Sequence, residues 1–333
     1  MTRRSAPAVG PGRLPVLYLG GLGRSGSTLL ERMLGELPGV TPLGEVVHLW
    51  ERALRDDERC GCGLVFSACP FWSEVGLRAF GGWDQLDTQQ VLALKHRVDR
   101  TRHVGRLTLP ALRRSVRGDL YDYLDLYERV YAAAREVSGA TTVIDSSKHA
   151  SLAYALRWSS KLDLKVVHVL RDSPAVVHSW SKVVVRPEAG EDSRMPRYGV
   201  LKVIGRWTAD NALFDLLRAL GTRVLVVRYE DLIADPRAAL LSIADHAGLS
   251  TGADDLAFLS AGGGVELNPT HTVAGNPMRF TSGRIVLRRD DTWRQALPTS
   301  SRRAVTALTM PTRVRFGYRS MPLSRMHPAG RRS

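Results

Sequence analysis

The sequence predicts an α/β fold, a central parallel sheet flanked by helices, and three observations predict it. Four short apolar runs rich in β-branched residues recur along the chain, none of them alternates apolar with polar residues, and each is followed by a helical pattern. A strand covered on both faces has no polar side to present, and that is the pattern of a parallel sheet sandwiched between helices.

The elements follow in order. "PVLYLGG" (15–21) is the first strand, and "TLLERMLGEL" supplies its helix. "TTVIDSS" (141–147) leads into "SLAYALRWSSKL". "LKVVHVLRD" (164–172) leads into "SPAVVHSWSKVV", with Ser173 as N-cap and Pro174 at the first helical position. A long helix over 200–220 precedes the fourth strand, "RVLVVRYED" (223–231). Asp235 and Pro236 then repeat the cap signal, and Gly248 stops that helix. Residues 46–140 read as a mostly helical insert, in which Leu120, Leu124, Tyr127 and Tyr131 share one core-facing stripe. Residues 1–14 read as a disordered lead-in, 15–320 as one domain and 321–333 as a basic tail. The glycine-rich stretch after residue 261 reads as a long irregular loop of the functional kind.

Of the 333 residues, 44% are apolar and 24% charged, ordinary for a globular chain, but the net charge is +14. That excess favours an anionic ligand and equally fits a nucleic acid, an acidic surface or a solvated arginine-rich exterior. No basic-and-aromatic interleaving or DNA-binding motif supports the nucleic-acid reading, so no nucleic-acid partner is expected. No apolar run of membrane-spanning length occurs, and the N-terminus lacks the apolar core of a secretory signal, so the expected location is the cytoplasm. The three cysteines, Cys60, Cys62 and Cys69, all lie in "CGCGLVFSACPFW". A zinc site there needs a fourth ligand, for which His48 is the candidate; otherwise the thiols pack as small hydrophobes, and no metal is expected.

Every predicted strand ends in polar residues: Arg24-Ser25, Asp145 to Lys148, Arg171-Asp172 and Tyr229 to Asp231. In an open α/β sheet, ligands bind beyond the carboxyl ends of the strands, so these clusters line one crevice. The first of them, "GLGRSGST", has the Gly21-x-x-x-x-Gly26 spacing of a nucleotide P-loop. It makes the fold a single P-loop NTPase-like domain. Successive backbone N–H groups and a helix N-terminus hold a tetrahedral oxyanion there. The lysine that a nucleoside triphosphatase requires is replaced by Ser27, followed by Thr28. A small-molecule kinase would need a substitute lysine and a Mg²⁺-binding carboxylate, for which Asp145 is the one candidate.

These residues resemble a known family. "GRSGSTLL" resembles the 5′-phosphosulfate loop of sulfotransferases that use 3′-phosphoadenosine 5′-phosphosulfate (PAPS). "LRDSPAVVHS" resembles their 3′-phosphate motif, with Arg171 at a strand end and Ser179 eight residues later. "VRYEDL" resembles the third marker, whose tyrosine, here Tyr229, lies near the adenine. "HTVAGNPMRF" and "RFGY" look like the C-terminal half of bacterial members.

The resemblance implies PAPS as cosubstrate, adenosine 3′,5′-bisphosphate as product, and a small-molecule, carbohydrate or peptide acceptor. It assigns Arg24, Ser25, Gly26, Ser27, Thr28, Arg171, Ser179 and Tyr229 to the nucleotide. Asn276 and Arg279, with Arg284, become the candidates for the closing basic loop, although the Arg-Lys-Gly sequence of eukaryotic cytosolic members is missing. Lys148 would neutralise the sulfonyl or bridging oxygen. Two residues compete as base. Glu45 in "PLGEVVHLW" resembles the Gly-Glu segment of Golgi-type members, and His149 stands from Arg171 as the histidine of cytosolic members does. Glu45 is preferred, with a pKa expected to rise toward neutrality in a closed crevice; the competing role is a salt bridge to Arg24. The insert and the 183–198 loop are expected to shape the acceptor pocket.

Overall fold

Tyr18 and Leu19 leave the first strand on opposite sides, and both are fully buried. The strand therefore has a core on each face, as a non-alternating apolar run requires. The computed structural model describes residues 12–109, 114–189, 193–260 and 262–318. The expected basic tail, and all of the lead-in except its last three residues, lie outside the described residues.

In chain order, β1 (Leu14–Gly20) runs into α1 (Ser27–Leu34) and the short β2 (Val40–Pro42). The insert follows, with α2 (Pro70–Phe80), α3 (Thr88–Val98) and α4 (Arg117–Ser138). Then come β3 (Thr142–Lys148), α5 (Ala150–Leu156), β4 (Leu162–Leu170), α6 (Ser173–Ser181) and α7 (Val200–Ala219). β5 (Arg223–Arg228) leads to α8 (Tyr229–Ala234) and α9 (Pro236–Ala247), and the last strands are β6 (Leu259–Ser260), β7 (Gly264–Leu267) and β8 (Gly283–Val286).

The main sheet is parallel, with strand order β2-β3-β1-β4-β5. From β1 the chain moves to β2 and β3 on one side; from β4 it moves to β5 on the other. The switch point lies between β1 and β4, where a crevice opens in such sheets. Val16 and Tyr18 join the core under the insert helices, whereas Leu17 and Leu19 join the core under α1 and α9. All four residues of the predicted stripe on α4 are buried in the first of these cores. No helix among the described residues is long and apolar enough to cross a membrane.

Three expectations change. β2 was not foreseen: three residues ending in proline carry almost no strand signal, and parallel pairing with β3 creates the strand. The segment after residue 261 is not wholly irregular, because it supplies β7 and β8, which join β6 in a small antiparallel sheet in which Val265 and Leu267 are buried. The N-cap of α6 is Asp172 rather than Ser173, whose hydroxyl instead meets the Thr309 hydroxyl at 2.7 Å. The cap at Asp235 stands, with its side chain accepting the Ala238 N–H at 2.9 Å.

Phe214 on α7 fills the space that glycine leaves at the end of β1; a Cβ at Gly20 would lie 2.3 Å from its ring. Phe214 also stacks on His168 of β4 at 5.0 Å. Phe214→Ala should cost about 3–5 kcal/mol of unfolding free energy, read from the urea midpoint.

Candidate functional site

The turn after β1 is held open by its backbone. The Gly21 N–H donates to the Lys148 carbonyl at 3.2 Å, which ties the turn to the end of β3. Arg24 and Gly26 both have left-handed backbones, with φ of 73° and 92°. A Cβ at Gly26 would sit 2.5 Å from Tyr229 Cδ2, so only glycine fits there. α1 starts at Ser27 with no side-chain cap, so its first amides are left for a ligand.

Beyond this turn lies a crevice of about 540 Å³, within the ~300–1,000 Å³ of small-molecule sites. Arg24, Gly26, Ser27, Thr28, Glu45, Lys148, His149, Arg171, Ser179, Tyr229 and Asn276 all line it. The sequence expectation thus brings residues from the ends of β1, β3, β4 and β5 to one wall. The insert contributes His48, Arg52 and Thr101 to the lining, and the 183–198 loop contributes Arg186, Met195, Pro196 and Tyr198.

Two arginines dominate the floor. Arg24 packs over the Trp180 ring at 5.5 Å, and its buried Nε and Nη2 have no protein partner. Arg171 is 6% exposed and lies 4.5 Å over the Tyr229 ring; its Nε is also buried without a protein partner. Its Nη1 donates to the Arg24 carbonyl at 3.3 Å, and its Nη2 meets the Asp290 carboxylate at 3.2 Å. Lys182 reaches the same carboxylate at 3.3 Å. Burial works against ionisation of Asp290, but hydrogen bonds from Thr292 and Arg171 prevail and hold its pKa well below the usual carboxylate range. Asp290 has no signal in the sequence, because nothing in "RRDD" sets it apart from Asp291.

Opposite the arginines, Lys148 takes a left-handed backbone, φ 68°, and its ammonium forms an ion pair with Glu45. His48 Nε2 stands 3.6 Å from the second Glu45 oxygen. The expected rise in the Glu45 pKa is overturned. Burial pushes it up, but Lys148 and His48 outweigh burial and bring it down to about 2. The expected alternative partner of Glu45, Arg24, is replaced by Lys148. Burial lowers the His149 pKa to about 4, so its imidazole is neutral near pH 7. Its ring meets that of His48 edge-on at 5.6 Å. His48 was proposed for the cysteine cluster; it belongs to this crevice instead, at the start of a π-helical segment, Leu49–Arg55, a form frequent at functional sites.

Other expected residues are used elsewhere. Arg279 is turned from the crevice into the protein, where Nη1 and Nη2 donate to the carbonyls of Thr272 at 2.7 Å and Arg59 at 2.6 Å. Arg284 is exposed on β8 and does not line the crevice. Ser25 is buried and off the lining. Asn276 reaches the wall but spends its carbonyl on the Met278 N–H at 3.0 Å. Asp145 is fully buried, accepting from Tyr131 Oη at 2.5 Å and from the Ser147 N–H at 2.7 Å, with burial raising its pKa to about 6. It is a core residue, not a metal ligand of the crevice. Tyr229 opens α8 rather than ending β5, and Glu230 holds the Asp172 N–H at 3.1 Å and Tyr318 Oη at 2.7 Å.

No protein-family model matches the chain, and no curated protein matches it significantly. Solved structures do. A sulfotransferase domain of the Synechococcus olefin synthase is 23% identical, covering 96% of this chain and 100% of its own, with a TM-score of 0.47. The sulfotransferase domain of the curacin biosynthetic pathway is 17% identical over 90% of this chain and 98% of its own, with a TM-score of 0.47. Retinol dehydratase, solved with retinol and PAP, is 12% identical over 91% of this chain and 82% of its own, with a TM-score of 0.38. At such distances, function is decided by the side chains of the crevice.

The Glu45–Lys148 pair has a pH signature. With the folded pKa of Glu45 held near about 2, below an ordinary value of about 4.5, its contribution to stability is complete above pH ~4.5 and fades as pH falls toward ~2. Lys148→Met should make Glu45 bind a proton at least about tenfold more tightly, as the titration of its carboxyl ¹³C resonance would report. An unmoved titration would break the assignment of cause.

Proposed function

We propose that this chain is a sulfotransferase that moves the sulfuryl group of PAPS to a hydroxyl or amine of an acceptor. The observation that carries the reading is the pair Arg24 and Arg171. At the ends of neighbouring strands both line a crevice headed by uncapped helix amides, and three of their guanidinium nitrogens are buried without protein partners. Buried donors of fixed positive charge call for an anion, and two such groups suit a ligand with two anionic ends. The motif resemblance names that ligand.

In this reading, the amides around Gly26, with Arg24, Ser27 and Thr28, hold the 5′-phosphosulfate. Arg171 and Ser179 take the 3′-phosphate, which replaces the Asp290 carboxylate on Arg171. Tyr229 lies beside the adenine, and Asn276 stands at the closing edge. The acceptor oxygen or nitrogen attacks sulfur in line. The bond from sulfur to the bridging oxygen breaks, and its electrons leave on the 5′-phosphate of adenosine 3′,5′-bisphosphate. Loop amides and Arg24 stabilise that charge. Lys148 leaves Glu45 for the sulfonyl or bridging oxygen. Freed of its cation in a buried site, Glu45 becomes basic enough to take the acceptor's proton. His149 is the competing base.

A kinase reading lacks support, because Ser27 stands where the loop lysine would be and Asp145 is committed to Tyr131 and Ser147.

Calorimetry should find adenosine 3′,5′-bisphosphate bound much more tightly than AMP or ATP. Arg171→Ala should weaken the bisphosphate by roughly ten- to a hundredfold, the effect of losing a charge-assisted contact of about 1.5–3 kcal/mol. Equal affinity for AMP and the bisphosphate would sink the reading. For the base, Glu45→Gln should lower kcat at least about a hundredfold while sparing bisphosphate affinity. Near-normal turnover of Glu45→Gln with loss in His149→Ala would transfer the role to His149.

A further inference from the structure

The cysteine turn finds its fourth partner 202 residues beyond Cys69 in the chain. Cys69 Sγ lies 3.3 Å from His271 Nδ1, 3.6 Å from Cys60 Sγ and 3.8 Å from Cys62 Sγ; Cys60 Sγ lies 3.9 Å from the same nitrogen. All four donor atoms fall within 4.8 Å of one another. A tetrahedral zinc with Zn–S of about 2.3 Å and Zn–N of about 2.0–2.1 Å sets sulfurs about 3.8 Å apart and nitrogen about 3.5 Å from each sulfur. The four separations of 3.3, 3.6, 3.8 and 3.9 Å lie close to those of that tetrahedron.

We propose that Cys60, Cys62, Cys69 and His271 form a structural zinc site. Three sulfurs and one imidazole nitrogen are a closed set suited to zinc. The surroundings are built for it. Gly63, at φ 92°, lets the chain fold back so that the Gly63 N–H reaches the Cys60 carbonyl at 2.9 Å. Trp72 Nε1 donates to the His271 carbonyl at 2.7 Å, and Phe71 stacks on the imidazole at 5.0 Å, fixing its plane.

Charge balance is the independent observation. Zinc with three thiolates and a neutral imidazole carries one net negative charge. Arg279 is 1% exposed, has no carboxylate within ion-pair distance among the described residues, and binds the carbonyls of Arg59 and Thr272. Those residues precede Cys60 and follow His271. The buried guanidinium is thus the counter-charge of the occupied site, which gives a purpose to a cation that the crevice does not use.

None of the four ligands lines the crevice, so the metal would act by position. It joins the insert to the strand of chain whose next residues brace the base: Gly61 N–H donates to the Thr272 carbonyl at 2.9 Å, and Glu45 N–H to the Val273 carbonyl at 2.8 Å.

The test is elemental analysis of the full-length protein expressed in zinc-supplemented medium, with zinc release followed during mercurial titration of the thiols. One zinc per chain is expected, released as the three thiols react. Cobalt replacement should give the thiolate charge-transfer band and visible absorption of tetrahedral Co(II). His271→Cys, which keeps a tetrahedral donor set, should retain the metal, whereas His271→Ala and Cys62→Ser should lower zinc content at least about tenfold. Less than about 0.1 zinc per chain with freely alkylated thiols, a disulfide found by mass spectrometry, or zinc retained equally in His271→Ala and Cys62→Ser would each overturn the site.

Discussion

The ion pair between Glu45 and Lys148 is the interaction on which the crevice depends. It closes the gap between the end of β3 and the segment after β2, and it needs the left-handed backbone of Lys148 to aim the ammonium inward. Its electrostatic consequence is larger than its structural one. It holds the Glu45 carboxylate ionised and weakly basic in the resting protein and leaves Arg24 and Arg171 out of that ion pair. An anion arriving at the arginines also competes for Lys148. Under the proposed mechanism, anion binding and the release of Glu45 become one event, because the same ammonium cannot serve both partners fully.

The pair can be exact in position because the backbone beneath it is held from several sides. Leu43 N–H donates to the Ile144 carbonyl at 2.9 Å, Gly44 N–H to Glu31 at 2.8 Å, Glu45 N–H to the Val273 carbonyl at 2.8 Å and Val47 N–H to the Ser147 hydroxyl at 2.8 Å. Glu31 also accepts the Ser146 hydroxyl at 2.7 Å, so one buried carboxylate on α1 joins the two segments that carry Glu45 and Lys148. Burial raises its pKa to about 7, the electrostatic cost of using a carboxylate as a core fastener. A carboxylate supported this way has little conformational freedom left to lose.

The net charge of +14 is a poor guide to this site until the arginines are sorted by what they touch. Arg32 is fully buried and donates to the carbonyls of Asn268 at 2.8 Å, Met278 at 3.0 Å and Arg279 at 3.1 Å; it organises the loop around residue 278. Arg313 pairs with Asp172 and ties the C-terminal helices to α6. Arg279 serves the cysteine turn. Each of those three also leaves a buried Nε without a partner; what distinguishes Arg24 and Arg171 is that they line the crevice, where an anion can complete their hydrogen bonding.

The sequence by itself determined the parallel sheet, the glycine turn and the residues at its four main strand ends. Those signals are local: apolar runs without alternation, a glycine spacing, and a proline after a capping aspartate at Asp235. It also brought Arg24, Lys148, Arg171, Ser179 and Tyr229 to one place, because strands in a parallel sheet deliver their carboxyl ends to the same edge. β2 and the small antiparallel sheet had no such signal; pairing with remote strands made them. Tertiary structure alone decided partnerships. Arg279 resembled a ligand residue and became a core cation; Glu45 met Lys148, not Arg24; Arg171 met Asp290; His271, not His48, met the cysteines. Hydrogen bonds and ion pairs reach only a few ångströms, and these partners are far apart in the chain, Cys60 and His271 by 211 residues and Arg279 and Arg59 by 220. No local pattern encodes such a meeting; it exists only once the sheet has brought the loops together.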